Sequence, residues 1–269
     1  MKIGVGHNIL HRDLPAAFEQ AAAVGADGVE VVIGDELARK LGRDGFAEEL
    51  RGLSQRFALE IPSLALNVLC AQPSLIVRAE LAEWAVQTVA RGLRTAAAVG
   101  ASALLLPFFG RNMIETDDEI NFAGDALADL AEAAEQVGVV LGVESTLNVH
   151  QQLLLLGATG HSPYVRIYFD TGNALARKYD AASAIRDLGQ GAICQVHFKD
   201  VRVVEGNPPD FDVALGQGSV DFRAVAHALR AVRYDGYVVL ETPGGTDPAA
   251  TTGANIRFAR ELLAAPEST

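Results

Sequence analysis

Short apolar runs alternate with amphipathic or Ala-rich stretches along almost the whole chain, and no other feature restricts the fold as much. The runs are Lys2–Gly6, Gly28–Ile33, Glu60–Leu66, Ser102–Leu106, Val139–Glu144, Val165–Asp170, Ala192–Phe198 and Tyr237–Glu241. Each has the length of a strand, and most are rich in Val, Ile and Leu, as strands buried on both faces are. Between them lie stretches such as LPAAFEQAAAVG, LAEWAVQTVARGLRTAAAVG, ALADLAEAAEQVG and FRAVAHALRAVRYDG. Gly25, Gly100, Gly138 and Gly236 stand where these helices should stop. The same junction, a helix followed by Val-Gly or Asp-Gly and then a strand, returns in VGADGVEV, VGASALLL, VGVVLGVE and YDGYVVLE. Such alternation predicts parallel strands joined by helices. Eight units in 269 residues predict an α/β chain folded as one domain, residues 1–269, closed into a (β/α)8 or TIM barrel. No glycine-rich dinucleotide fingerprint follows the first strand, which counts against an open doubly wound sheet.

Composition narrows the function. Apolar residues make up 49% of the chain, enough for a large core. No apolar run reaches the roughly 20 residues that span a bilayer, so no membrane partner is expected. The start, MKIGVGHN, reads straight into a strand with no signal-peptide core, so a cytoplasmic location is expected. Cys70 and Cys194 stand at strand-like apolar positions and are read as buried free thiols. A net charge of −12 opposes a nucleic-acid partner, whose phosphates attract basic surfaces, and favours a small molecule. Val77, Leu81 and Trp84 on a long helix form either a dimer patch or core, which leaves a homo-oligomer open.

Four consecutive strands each close on a metal-ligand type of residue: Glu144, Asp170, His197 and Glu241. Their separations are 26, 27 and 44 residues. The first two equal one strand–helix unit each, and the third is one unit lengthened by the irregular stretch Arg202–Val220. In a barrel with neighbouring strands, the four side chains converge at the carboxyl ends, where barrel sites form. Three carboxylates and an imidazole around one point repel one another unless a cation lies between them. The hard oxygen set suits Mn²⁺ or Mg²⁺, with Co²⁺ or Zn²⁺ as alternatives, and differs from the Cys/His set of structural zinc.

The chain resembles the sugar-phosphate isomerase/epimerase family with the xylose isomerase-like barrel, which includes ketose 3-epimerases, hydroxypyruvate isomerases and inosose dehydratases. The resemblance runs through GVES around Glu144, YFDTGNAL around Asp170, QVHFKDVR around His197, LGQGSVDF from Leu215 to Phe222, and GYVVLET around Glu241. It implies that Glu144, Asp170, His197 and Glu241 bind a divalent metal. It also implies that Glu144 and Glu241 face opposite sides of a bound sugar and are catalytic. One takes a proton from the carbon beside the carbonyl, and the other returns it through an enediolate. Return to the opposite face of the same carbon is epimerisation, and return to the neighbouring carbon is isomerisation. Ketose 3-epimerases often carry His three residues after the matching aspartate. Here that position is Asn173, which hydrogen-bonds but does not titrate near neutrality.

Further residues are read as substrate-binding. Lys199 and Arg202 follow His197, and Arg202 suits a hydroxyl or a phosphate. Glu30 ends the second strand and either binds substrate or orients a ligand. His7, at the end of the first strand, is a weaker case of the same kind. Asp200 is read as structural, and Gly216 and Gly218 as a tight turn before a helix near Asp221. The loop Arg202–Val220 is read as a lid or substrate loop, and the tail APEST as frayed. The expected function is a metal-dependent sugar or sugar-phosphate isomerase or epimerase. The alternatives are an inosose-type dehydratase, a metal-dependent endonuclease on the same barrel and a non-catalytic sugar-binding barrel.

Overall fold

The computed structural model describes residues 1–71, 75–76, 79–243 and 245–265, with the backbone alone for 79–82. Eight parallel strands among these residues pair in chain order and close on themselves. They are β1 (Lys2–Gly6), β2 (Gly28–Val32), β3 (Ser63–Ala65), β4 (Ala103–Pro107), β5 (Val140–Glu144), β6 (Val165–Asp170), β7 (Ile193–Phe198) and β8 (Tyr237–Leu240). Packing divides the chain into two compact units, and the division falls inside β2 and β6. The expected (β/α)8 barrel is therefore the observed topology.

The first unit comprises Met1–Glu30, Phe57–Glu60 and Phe169–Thr269. Within it β8 pairs with both β7 and β1, aligning His197 with Val239 and Val5 with Leu240. β1 continues to β2, aligning Gly6 with Glu30. Ile3, Val5, Val196, Phe198, Val238 and Val239 form its buried strand layer. At the amino ends of these strands, Tyr237 Oη donates to Glu60 Oε2 at 2.8 Å and to the Asp27 carbonyl at 3.2 Å. Lys2 pairs with the same Glu60 carboxylate. These bonds pull Glu60 below the ordinary carboxylate range, the Lys2 contact most.

The second unit comprises Val31–Arg56 and Ile61–Tyr168. It holds the ladders from the end of β2 through β3, β4 and β5 to the start of β6. Leu64, Leu104, Leu141 and Ile167 are buried in it. Its helix Asp117–Val137 starts with a reciprocal cap, Thr116 accepting from the Glu119 amide while the Glu119 carboxylate accepts from the Thr116 amide. The helix stops at Gly138 in the left-handed conformation, φ 69°.

β3 is shorter than the apolar run Glu60–Leu66 suggests. Pro62 has no N–H to donate, so Glu60 makes only an isolated bridge with Gly28 and the ladder starts at Ser63. β8 stops one residue before Glu241, whose amide still donates to the Phe198 carbonyl at 3.1 Å. Cys70 and Cys194 are free thiols, half-buried rather than fully buried. Trp84 is exposed; Val77, the Leu81 side chain and residues 266–269 lie outside the described residues. No helix among those described is long and apolar enough to cross a membrane.

Candidate metal centre

Asp170, His197 and Glu241 each offer one ligand atom, and these atoms lie within 4.8 Å of one another, while Glu144 closes β5 in the second unit. Glu144, Asp170 and His197 are buried, while the Glu241 side chain is 30% exposed. His197 turns Nδ1 toward the carboxylates, 3.5 Å from Glu241 Oε2 and 3.8 Å from Asp170 Oδ2. Its Nε2 lies 3.1 Å from Glu30 Oε1.

The DTGN segment explains how Asp170 is held. Asp170 caps the helix Thr171–Ala176, its Oδ1 accepting the Asn173 amide at 2.6 Å. This leaves Oδ2 on the side of the cluster. Thr171 Oγ1 accepts the Lys199 amide at 3.0 Å and donates to the Lys199 carbonyl at 2.8 Å, tying the end of β6 to the end of β7. Gly172 permits this approach, because a Cβ there would lie 2.8 Å from Lys199 Cγ and 3.0 Å from its carbonyl oxygen. Thr171 and Gly172 are not singled out in the sequence reading, since their roles depend on a segment 28 residues away.

Lys199 lies inside the cluster. Its Nζ contacts Glu241 Oε2 directly and stands 3.5 Å from Asp170 Oδ2. The Phe211 ring, from the long loop, lies with its centroid 5.6 Å from the same Nζ. Arg202 is placed differently. It pairs with Asp210 of its own loop at 2.9 Å, both side chains about half exposed, and a two-way backbone bridge joins the same residues. His7 and Glu30 are buried, and burial pushes the His7 ring down to about 4, against the pull of the nearby Glu30 carboxylate and carbonyl.

Charge in the cluster is unbalanced. Burial pushes Asp170 above the ordinary carboxylate range, and proximity to Glu241 adds to this, while Lys199 and His197 oppose it. Burial also acts upward on Glu241, but Lys199 and His197 together bring it below that range. Asp170 Oδ2 is buried and accepts no hydrogen bond from the protein, while Glu241 Oε2, also buried, is held by the Lys199 ammonium. A buried carboxylate oxygen without a donor carries a large desolvation cost. The two oxygens face His197 Nδ1, so the donor set fits a divalent cation with open positions for other oxygens.

A family model described as the xylose isomerase-like TIM barrel matches residues 18–262. The chain belongs to this family. The 2-epi-5-epi-valiolone 7-phosphate 2-epimerase of Actinoplanes sp. (strain ATCC 31044 / CBS 674.73 / SE50/110) is 30% identical over 225 residues, covering 80% of this chain and 77% of its own. An inosose dehydratase from Lacticaseibacillus casei is 26% identical over 155 residues, half of each chain. Among solved structures, the IOLI protein with a bound zinc atom superposes with a TM-score of 0.78 at 17% identity, covering 98% of both chains.

Proposed function

We propose that this xylose isomerase-like barrel is a divalent-metal-dependent sugar or sugar-phosphate isomerase or epimerase, with Glu144 and Glu241 exchanging the proton. The observation that carries this reading is the convergence of two buried carboxylate oxygens, Asp170 Oδ2 and Glu241 Oε2, on His197 Nδ1, with the Lys199 ammonium as their counter-charge. Similarity to a phosphorylated-substrate epimerase supports the reaction class.

Glu144, Asp170, His197 and Glu241 would hold Mn²⁺ or Mg²⁺. Such a cation polarises a carbonyl and so acidifies the neighbouring C–H. The remaining steps belong to the chain. Lys199 and His197 keep Glu241 a carboxylate at neutral pH, ready to accept a proton. Glu144, from β5, supplies the second carboxyl group. One of the two takes the proton from the carbon beside the carbonyl and becomes a carboxylic acid. The electron pair passes to the carbonyl oxygen as the substrate becomes an enediolate. The other glutamate, in its acid form, returns a proton to carbon. Its return to the other face of the same carbon inverts the centre, and its return to the adjacent carbon moves the carbonyl.

The half-length similarity to an inosose dehydratase favours one second reading, in which the same enolate loses hydroxide. One experiment addresses both. Protein with Mn²⁺, with and without chelator, is incubated in D₂O with ketoses, aldoses, their phosphates and inososes, and products are followed by NMR and mass. Solvent deuterium at one carbon, lost with chelator and in Glu144→Gln and Glu241→Gln, is the expected result. A product lighter by one water assigns the dehydratase. Tight Mn²⁺ binding without exchange on any compound would make the barrel a binding protein.

A further inference from the structure

A histidine that ligates through one ring nitrogen needs its proton on the other, and what stands beyond that second nitrogen decides the matter. In this structure the environment of His197 is asymmetric. Glu241 Oε2 and Asp170 Oδ2 stand 3.5 Å and 3.8 Å from Nδ1. Nε2 has a shorter carboxylate contact, Glu30 Oε1 at 3.1 Å. Both side chains are 2% exposed, so water does not compete for the bond. The bond is not local. Glu30 is on β2 and His197 on β7, and the ladder between them runs through β8 and β1. Glu30 therefore reaches His197 across the inside of the sheet rather than from a neighbouring strand. The backbone at Glu30 is itself fixed, because Gly6 aligns with it in the ladder and the His7 ring hydrogen-bonds its main chain.

We propose that Glu30 is a positioning residue: it accepts the Nε2–H of His197, sets the ring orientation and tautomer, and thereby presents the Nδ1 lone pair to the metal. Of the two roles read for Glu30 from its place at a strand end, binding substrate or orienting a ligand, this is the second, exerted through His197. Glu30 Oε1 touches the ring on the side away from Asp170 and Glu241. A carboxylate acceptor also makes the ring a more basic ligand than an amide or a water would. The inference rests on the metal reading for its consequence, but the tautomer is a property of the protein alone.

The test uses ¹⁵N-histidine-labelled, metal-free protein at mildly alkaline pH, with long-range ¹H–¹⁵N correlation reporting which His197 nitrogen carries the proton. His197→Asn assigns the resonance. Calorimetric titration with Mn²⁺ follows on the same samples. Wild type should show His197 protonated on Nε2. In Glu30→Ala the preference should be lost and the Mn²⁺ dissociation constant should rise roughly 10- to 100-fold, as for other groups that orient metal ligands. Glu30→Gln keeps an acceptor oxygen without the charge. It should retain the Nε2–H tautomer and lose only several-fold in affinity, which carries the test if the alanine variant fails to fold. An Nδ1–H tautomer in wild type would overturn the proposal. So would an alanine variant with unchanged tautomer and unchanged Mn²⁺ affinity. If wild type binds no Mn²⁺, the proposed function fails, while the tautomer comparison still decides the role of Glu30.

Discussion

Asp200 and Gly218 are in such close contact that only glycine fits opposite the carboxylate. A Cβ at Gly218 would overlap the Asp200 carboxylate and come within 2.7 Å of the Val201 carbonyl oxygen. Asp200 is fully buried and accepts four backbone amides, from Val201 and Val220 on Oδ1 and from Gly216 and Gly218 on Oδ2. It thus fastens the far end of the long loop to the end of β7. Asp200→Ala removes a fully buried acceptor from four backbone amides, one buried and three part-buried, and a stability loss of about 3–5 kcal/mol is expected in urea unfolding. Gly218→Ala overpacks the same point and should cost about 1–3 kcal/mol. Hydrogen exchange in residues 202–219 should accelerate in both variants before the rest of the chain responds. Uniform acceleration would show that Asp200 does not fasten this loop in particular.

The reciprocal cap at Thr116 and Glu119 gives a second stability prediction. Glu119 lies below the ordinary carboxylate range, mainly through the Glu115 amide it accepts. Thr116→Ala removes the oxygen that accepts the Glu119 amide at 3.2 Å and should cost about 1 kcal/mol. Thr116→Ser keeps a hydroxyl there and should recover most of this. Equal melting temperatures for Thr116→Ala and wild type would show that the cap adds nothing to global stability.

These elements differ in how well the sequence discloses them. Lys2–Gly6 and Val165–Asp170 are read to the residue, and each ends on the residue that caps the helix following it, Gly6 and Asp170. β3 is overread because hydropathy does not register the missing donor of Pro62. Asp170, His197 and Glu241 are legible because a charged or titratable residue closing a buried strand is conspicuous in a linear pattern. Glu30 is conspicuous for the same reason, but its partner is 167 residues away, and no periodicity encodes that pairing. Arg202 illustrates the opposite limit. Its type suits a phosphate, yet Asp210 in the same loop takes the guanidinium, a loop-internal choice set by a backbone bridge. Asn173 is read for its side chain, whereas its main-chain amide is what holds Asp170.

His7 should make stability depend on pH. The folded ring protonates only at about 4, against 6.5 for a free histidine, because burial disfavours the cation. Between these values the unfolded chain binds more protons than the folded one. Stability from His7 is therefore complete above 6.5 and declines as pH falls toward 4, by at most about 3 kcal/mol from a shift of this size. His7→Gln removes the titration. The difference in melting temperature between wild type and variant should shrink steadily across that window on acidification. A difference that stays constant with pH would place the His7 contribution in packing alone.

Lys199 reaches both buried carboxylate oxygens of the cluster, Asp170 Oδ2 and Glu241 Oε2. Its ammonium is therefore the counter-charge of the cluster in the protein alone, and it stands in competition with any divalent cation for those oxygens. Lys199→Met keeps the aliphatic stem against Phe211 and removes the charge. The two carboxylates then repel without relief, and the metal-free variant should lose about 1–3 kcal/mol, a figure reduced for the partial exposure of Glu241. Added Mn²⁺ should reverse more than that loss, because it meets no competing ammonium in the variant. The Mn²⁺-induced rise in melting temperature should thus be larger for Lys199→Met than for wild type at equal metal concentration, with a several-fold smaller dissociation constant. Thermal melts with and without Mn²⁺ decide the matter. An equal or smaller rise in the variant would mean that Lys199 and the cation do not share these oxygens. In that case the ammonium would be left free to meet a negatively charged substrate group beside the metal.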